Sequence, residues 1–321
     1  MSAKPWLCAL TVLALSLPVQ AADVNNYLPA DSEMVLTINI KQLLGSGLIK
    51  KHALDQMKAA LQSDRAKQVL GPLGFDPLKD VDSIMIAGPG GDEPGKGLII
   101  INGNFDVDKL KASAEAEAKK NDNLKIVKEG SHQLFEVKNP RGRNPLGDTM
   151  YMAIAGPKAI VASPDKAYVI KALDKKSGAK AEVGAKMASL LKDADGNQSF
   201  WLVALPEGIK KSQVAQDEKI KEVLDKLVGI GFGITLDNDL QVALSVATKD
   251  ADAADAIKKQ INEGIEQGKG LLGVLALNNP DLAPLADFLA TLKVNTKQAS
   301  VNVKGQVPAE AIEKALKRVQ R

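Results

Sequence analysis

The stretch that decides the fold is GLIIINGNFDVDKLKASAEAEAKK, residues 97–120. Residues 98–101 are apolar on both faces of a pleat, which indicates a buried strand. Asp106 is a favourable N-cap residue, and Leu110 and Ala114 recur at helical spacing in a run rich in Ala, Glu and Lys. The stretch therefore predicts a strand followed directly by a helix.

The same order of elements recurs along the chain. A strand pair followed by a helix is predicted four times, at residues 84–120, 149–176, 229–267 and 292–319. Two of these units lie in each half, and each half opens with a strand and a helix, which indicates duplication of an ancestral domain. Tight turns between the paired strands make the sheets antiparallel, and alternation in the last strand leaves one sheet face polar. We therefore expect an α+β fold, with antiparallel sheets, helices packed on one face, and two related halves built from strand-helix and strand-strand-helix units.

The first residues have the pattern of a secretory signal peptide. Lys4 supplies a positive charge, and residues 7–17 form an apolar core that is too short to span a bilayer. Small residues follow at the positions that a signal peptidase reads. We expect residues 1–21 to be removed by cleavage between Ala21 and Ala22, and the mature chain to be periplasmic or extracellular.

The mature chain is expected to fold without disulfides, because the single cysteine, Cys8, lies within the predicted signal peptide. A chain of about 300 residues buries enough surface for one large domain or two smaller ones. Its composition shifts at residues 176–198. We place a domain boundary there, between an N-terminal α+β domain, residues 22–178, and a C-terminal domain of similar plan, residues 179–321.

Charge and aromatic content argue against several classes of partner. The chain has 42 basic and 39 acidic residues interspersed along its length, which is not the footprint of a nucleic-acid-binding protein. Few of the basic residues are arginine, so few forked clamps for phosphate can form. Aromatic residues make up 3% of the chain, which leaves few platforms for stacking sugars or bases.

Three turn and cap motifs carry a resemblance to a known group. They are Leu-Pro-Ala-Asp at residues 28–31, Gly-Phe-Asp-Pro-Leu-Lys-Asp-Val-Asp-Ser at residues 74–83, and Phe-Asp-Val-Asp-Lys-Leu at residues 105–110. In these motifs the chain resembles a group of secreted bacterial proteins of unknown function, mainly over residues 28–176. The resemblance implies a fold, and the group carries no catalytic residues to transfer.

Two motifs imitate ligand-binding loops. Residues 90–96 match the Gly-x-x-x-x-Gly-Lys part of a phosphate-binding loop, but Gly97 replaces the Ser or Thr that holds magnesium, and a strand follows where a helix is required. Asp193 and Asp195 suggest a calcium loop, yet leucines would occupy its first and last ligand positions. We therefore predict a hairpin loop and a helix-ending turn.

Few residues are candidates for a site. Arg141 and Arg143 lie in the polar loop 139–145, where they are candidate contacts for an anionic partner or are merely solvated. His52 and His132 have no partner at short spacing and lie in different elements, so we expect no histidine- or metal-centred site and no cofactor. Only a pair of carboxylates remains as possible catalytic machinery.

One apolar segment departs from the repeated plan. Residues 268–277 read GKGLLGVLAL, and two interpretations stay open: a helix buried between the sheet and its neighbours, or a mobile flap over an apolar ligand site.

We expect a non-enzymatic binding or structural protein of the envelope or extracellular space, with another envelope protein or an apolar ligand as partner. The alternatives are a carrier of a lipid-like ligand and a hydrolase that uses a carboxylate pair.

Overall fold

The structure is a computed structural model. It describes residues 25–63, 76–92, 95–138, 147–175, 181–279 and 282–313. Within these residues, twelve strands form one sheet. The strands are β1 Met34–Asn39, β2 Val81–Gly88, β3 Leu98–Gly103, β4 Leu124–Glu129, β5 His132–Lys138, β6 Thr149–Gly156, β7 Ala159–Ser163, β8 Phe200–Ala204, β9 Leu227–Leu236, β10 Leu240–Thr248, β11 Lys293–Lys297 and β12 Ser300–Val307.

The helices connect the strands in both halves of the chain. They are α1 Ile40–Gly45, α2 Gly47–His52, α3 Leu54–Gln62, α4 Pro77–Asp80, α5 Val107–Ala118, α6 Lys166–Asp174, α7 Ala185–Asp193, α8 Pro206–Lys210, α9 Glu218–Leu224, α10 Ala251–Asn278 and α11 Ala283–Thr291, with a 3₁₀ turn at Gln213–Gln216. The predicted junction between β3 and α5 is confirmed. The backbone N–H of Lys109 donates to the Asp106 side chain over 3.0 Å, as an N-cap requires.

The sheet is antiparallel and passes through both halves of the chain. Its order is β11-β12-β10-β9-β8-β1-β2-β3-β7-β6-β5-β4. Outward from the central pair, one half contributes β1-β2-β3-β7-β6 and the other contributes β8-β9-β10-β12-β11. These two orders correspond strand for strand, and the β4–β5 hairpin is an addition at one edge. The predicted α+β class with antiparallel strands is confirmed. The domain boundary after residue 178 stays a prediction, and the strands on either side of it belong to one sheet.

One side of the sheet, face A, carries Val35, Met85 and Ile100 from three neighbouring central strands. Helix α6 covers face A over β6 and β7, and α7 covers it over β8 and β9, and Val169 and Leu191 pack into the same buried cluster. In the C-terminal half, face A is lined by small and polar residues around a groove of about 490 Å³. The polar face predicted from the last strand is therefore present in this half.

The opposite side, face B, is covered by other helices. Helix α5 covers the N-terminal half, where Leu110 packs near Ile101 and Ile160. Helix α10 covers the C-terminal half, where Ile257 packs with Val301. The structure thus places helices on both faces of the sheet, whereas the sequence predicted helices on one face only.

Several predicted boundaries were wrong. The spacing of Ile220, Val223, Leu224 and Leu227 predicts a helix over residues 215–228, but α9 is shorter, and Leu227 begins β9 because it pairs with Thr248. Proline after a serine predicts that Ser163-Pro164 caps the helix after β7, but α6 is capped by Asp165, since the Ala167 N–H donates to Asp165. Helix α10 continues well beyond its predicted end at residue 267. Alternating apolar residues were enough to predict the strands. The ends of the helices could not be predicted from local sequence, because they depend on contacts between distant segments.

Candidate functional site

Helix α10 changes character along its exposed face. In its first half this face carries charged residues such as Lys259, Glu263 and Glu266, and the buried side is anchored by Ala254 and Ile257. From residue 270 to residue 277 the sequence is GLLGVLAL, without a polar side chain. The face that is polar in the first half of the helix is therefore apolar in the second.

The apolar half of α10 is not covered by the rest of the protein. Leu271 is 62% exposed, Val274 is 61% exposed and Leu277 is 83% exposed. Helix α11 packs against α10 and adds Leu285, which is 52% exposed. We call residues 268–279 together with 282–291 the exposed hairpin.

The exposed hairpin has two further properties. Gly270 and Gly273 face open space, since a Cβ atom built at either position meets no heavy atom within 4 Å. Its described residues contain two charged side chains, Lys269 and Asp287, and Lys269 is paired with Glu266 at 2.8 Å. The surface of the exposed hairpin therefore carries little charge. The side chains of its leucines and valine project into solvent beside glycines, which have no side chain.

The interpretation of residues 268–277 as a buried helix is wrong, because no residue of this segment is buried. The segment is helical and continuous with the first half of α10. Its interpretation as a mobile flap stays a hypothesis. No helix among the described residues is both long enough and apolar enough to cross a bilayer.

A second candidate lies at the other edge of the sheet. Between α5 and face B is a cavity of about 80 Å³ that is lined by apolar side chains. Leu110 and Ala114 contribute to it from the helix, and the small side chain of Ala114 leaves space above the strands. The lining from strands β3 to β7 is Ile101, Leu124, Phe135, Val137, Met152, Ala153, Ile154 and Ile160.

Polar groups meet around a cavity of about 580 Å³ between α6 and the segment that precedes β1. The Tyr168 hydroxyl donates to the Asp31 carboxylate over 2.6 Å, and the Lys175 ammonium donates to the Leu28 carbonyl oxygen over 2.6 Å. Burial lowers the pKa of Lys175, and the negative charge of Glu182 partly opposes this shift. These bonds hold the segment before β1 against α6.

The two histidines lie in different elements, α2 and β5, and each has a carboxylate neighbour. The ring of His132 is hydrogen-bonded to Asp174 at 2.7 Å, and Nε2 of His52 lies 3.9 Å from the carboxylate of Glu313. Spacing in the sequence did not reveal these partners, because they are 42 and 261 residues away. Within the described part of the chain, no group of three or more His, Cys, Asp or Glu side chains is placed to hold a metal ion.

Several predicted site residues lie outside the described residues. Arg141 and Arg143, the candidate contacts for an anionic partner, are among them, and so are Ala21 and Ala22 at the predicted cleavage site. The apolar run in residues 268–277 was the signal in the sequence that pointed to the exposed hairpin. The cavity beneath α5 had no such signal, since its lining comes from one helix and several strands.

Comparison with known proteins gives little guidance. No protein-family model matches the chain, and no curated protein matches it. Among solved structures, crystal form I of TP0453 aligns with a TM-score of 0.46 and 10% sequence identity, covering 93% of this chain and 98% of that chain. A similarity of this degree assigns neither a family nor a function.

Proposed function

We propose that this chain is an exported, non-enzymatic binding protein of the cell envelope that binds a partner protein through the exposed hairpin. The observation that carries the proposal is the uncharged outer face of residues 270–277, in which leucines and valine stand in solvent. Contiguous apolar surface of this kind on a soluble domain is typical of an interaction site.

Covering this surface is energetically favourable. Full burial of one leucine or valine side chain contributes about 1.5–3 kcal/mol. Leu271, Val274, Leu277 and Leu285 are each more than half exposed, so a partner that covers them gains several times the stabilisation of a single contact. Gly270 and Gly273 add space into which the backbone of a partner helix can fit.

The chemistry favours a protein partner over a lipid surface. Helices that lie in a membrane interface carry Lys and Arg on their polar face, with large apolar residues on the other. The described part of the hairpin has a single lysine, which is already paired, and its two exposed glycines add no apolar area. The same glycines favour close approach of a helix.

The proposal is tested by crosslinking in the host. A photoreactive residue at Val274 should give one protein adduct, whereas the same residue at Gln260, an exposed position on the polar half of α10, should give none. The crosslinked peptide should map to an apolar helix of the partner. With the purified pair, Leu277→Glu should weaken binding at least tenfold, and the control Gln260→Glu should not.

Three results would contradict this proposal. Flotation of the purified protein with vesicles, abolished by Leu277→Glu, would identify a membrane surface as the target. A crosslink solely to a second copy of the chain would make the hairpin a dimer interface. An equal yield of the same adduct from Val274 and Gln260 would show that the apolar face is not what the partner recognises.

Export and duplication are parts of the same proposal. N-terminal sequencing of secreted protein should begin at Ala22, and a cytoplasmic product that retains its first residues would contradict export.

Duplication is supported by the matching strand orders on either side of the β1–β8 pair. It predicts that the halves superpose strand for strand, and a failure of the connecting helices to superpose would argue against it.

A further inference from the structure

A lysine-lined groove adjoins the apolar cavity beneath α5. The groove is about 650 Å³ and lies between the C-terminal half of α5 and the edge strand β4. Leu124 lines both the groove and the cavity, so the two spaces are adjacent. The exposed side chain of Ile126 and the methyl group of Ala118 also line the groove, which gives it apolar parts.

The charge around this groove is mainly positive. Lys119, Lys125 and Lys128 line it, with Glu115 as the one acidic residue in the lining. All three lysines are exposed, and none forms a salt bridge with a described carboxylate. An anionic group in the groove would therefore find cations without displacing an existing ion pair.

We infer that the groove and the cavity together bind a single-chain amphiphile with an anionic head group, such as a fatty acid. The chain lies along Leu124 and Ile126 and inserts its last carbons into the cavity, while the head group faces Lys119 and Lys128. The cavity has a volume of about 80 Å³. An engineered apolar cavity that binds benzene in another protein has about 150 Å³, so the cavity beneath α5 has room only for the end of an acyl chain.

This site deepens the carrier alternative and does not depend on the exposed hairpin. Strand β4 forms one edge of the sheet and β11 forms the other, so the two surfaces are far apart in the strand order. A chain that docks no partner through α10 could still bind an amphiphile under α5. The two proposals therefore fail separately.

The test is calorimetric titration of the full chain with laurate below its micelle concentration, with the methyl group of Met152 observed by NMR. Laurate should bind at one site and shift the Met152 methyl signal, since this side chain lines the cavity. Ala114→Leu fills the cavity and should lower the affinity at least tenfold. The control Ala112→Leu, at an exposed position of the same helix, should leave the affinity unchanged.

The head-group requirement is tested separately. Lys119→Gln combined with Lys128→Gln removes two positive charges beside the carboxylate of laurate. It should lower laurate affinity about tenfold, which corresponds to about 1.4 kcal/mol. Binding of dodecanol, which has no charge, should be unchanged. Lys111→Gln, at an exposed position near the other end of α5, is the matched control. Vesicles of phosphatidylglycerol distinguish a bilayer head group from a free fatty acid.

Each contrary outcome overturns the inference. If Ala114→Leu and the milder Ala114→Val both retain laurate affinity, the chain does not enter the cavity. If dodecanol binds as tightly as laurate, the lysines take no part. If the protein binds vesicles but not monomeric laurate, the groove recognises a membrane surface and the cavity is only a packing defect.

Discussion

The loss of an apolar side chain should cost much less stability in the second half of α10 than in the first. Leu277 is 83% exposed, so less than a fifth of its surface is buried in the folded chain. Since full burial is worth about 1.5–3 kcal/mol, Leu277→Gln should lower the free energy of unfolding by about 0.5 kcal/mol at most. Ile257 is 4% exposed, and Ile257→Ala should cost about 2–5 kcal/mol.

The assay is urea unfolding of both variants and the wild type at two protein concentrations. Ile257→Ala should shift the midpoint to lower urea without changing the slope, and Leu277→Gln should nearly overlay the wild type. A large effect of Leu277→Gln at both concentrations would refute the reasoning, since it would mean that the hairpin is part of the core. A large effect only at high concentration would indicate self-association.

Three further predictions concern the sheet and its surroundings. Gly103→Ala should destabilise by at least about 3 kcal/mol in thermal unfolding, because a Cβ atom there lies 2.0 Å from the carbonyl oxygen of Asp80, whereas Gly45→Ala, with nothing within 4 Å, should be neutral or stabilising. Thr37→Val should stabilise by about 1 kcal/mol in urea unfolding, because the buried hydroxyl has no hydrogen-bond partner among the described residues, and a loss of stability would reveal one. Burial lowers the pKa of Lys175 below 10.5, so the unfolded chain binds this proton more tightly; the free energy of unfolding of the wild type should rise relative to Lys175→Met as the pH approaches 10.5 from below, and a constant difference through that window would contradict the shift.

The strands were predictable because their signal is local. Alternation and apolar runs fixed β1, β3 and β12, since each strand shows its buried face within a few residues. The end of α10 was not predictable in this way. Glycines from Gly268 onward weaken a helix but do not stop one, because each costs only about 1 kcal/mol relative to alanine.

The candidate sites depended on contacts that spacing does not encode. Tyr168 and Asp31 are 137 residues apart and share a hydrogen bond, and the cavity beneath α5 combines side chains from β3 to β7. A sequence pattern shows which face of an element is apolar. It does not show how completely the neighbouring element fills the space above that face, and this filling decides where a cavity forms.

The central position of β1 has a consequence for the order in which the chain becomes available for folding. Strand β1 ends at Asn39, yet one of its two neighbours, β8, begins only at residue 200. Until then, β1 presents an unpaired edge of sequence MVLTIN, which carries no charge to discourage pairing with another molecule. A chain that lacks β8 should therefore pair this strand with a second copy, and pairing with β8 is what removes the edge.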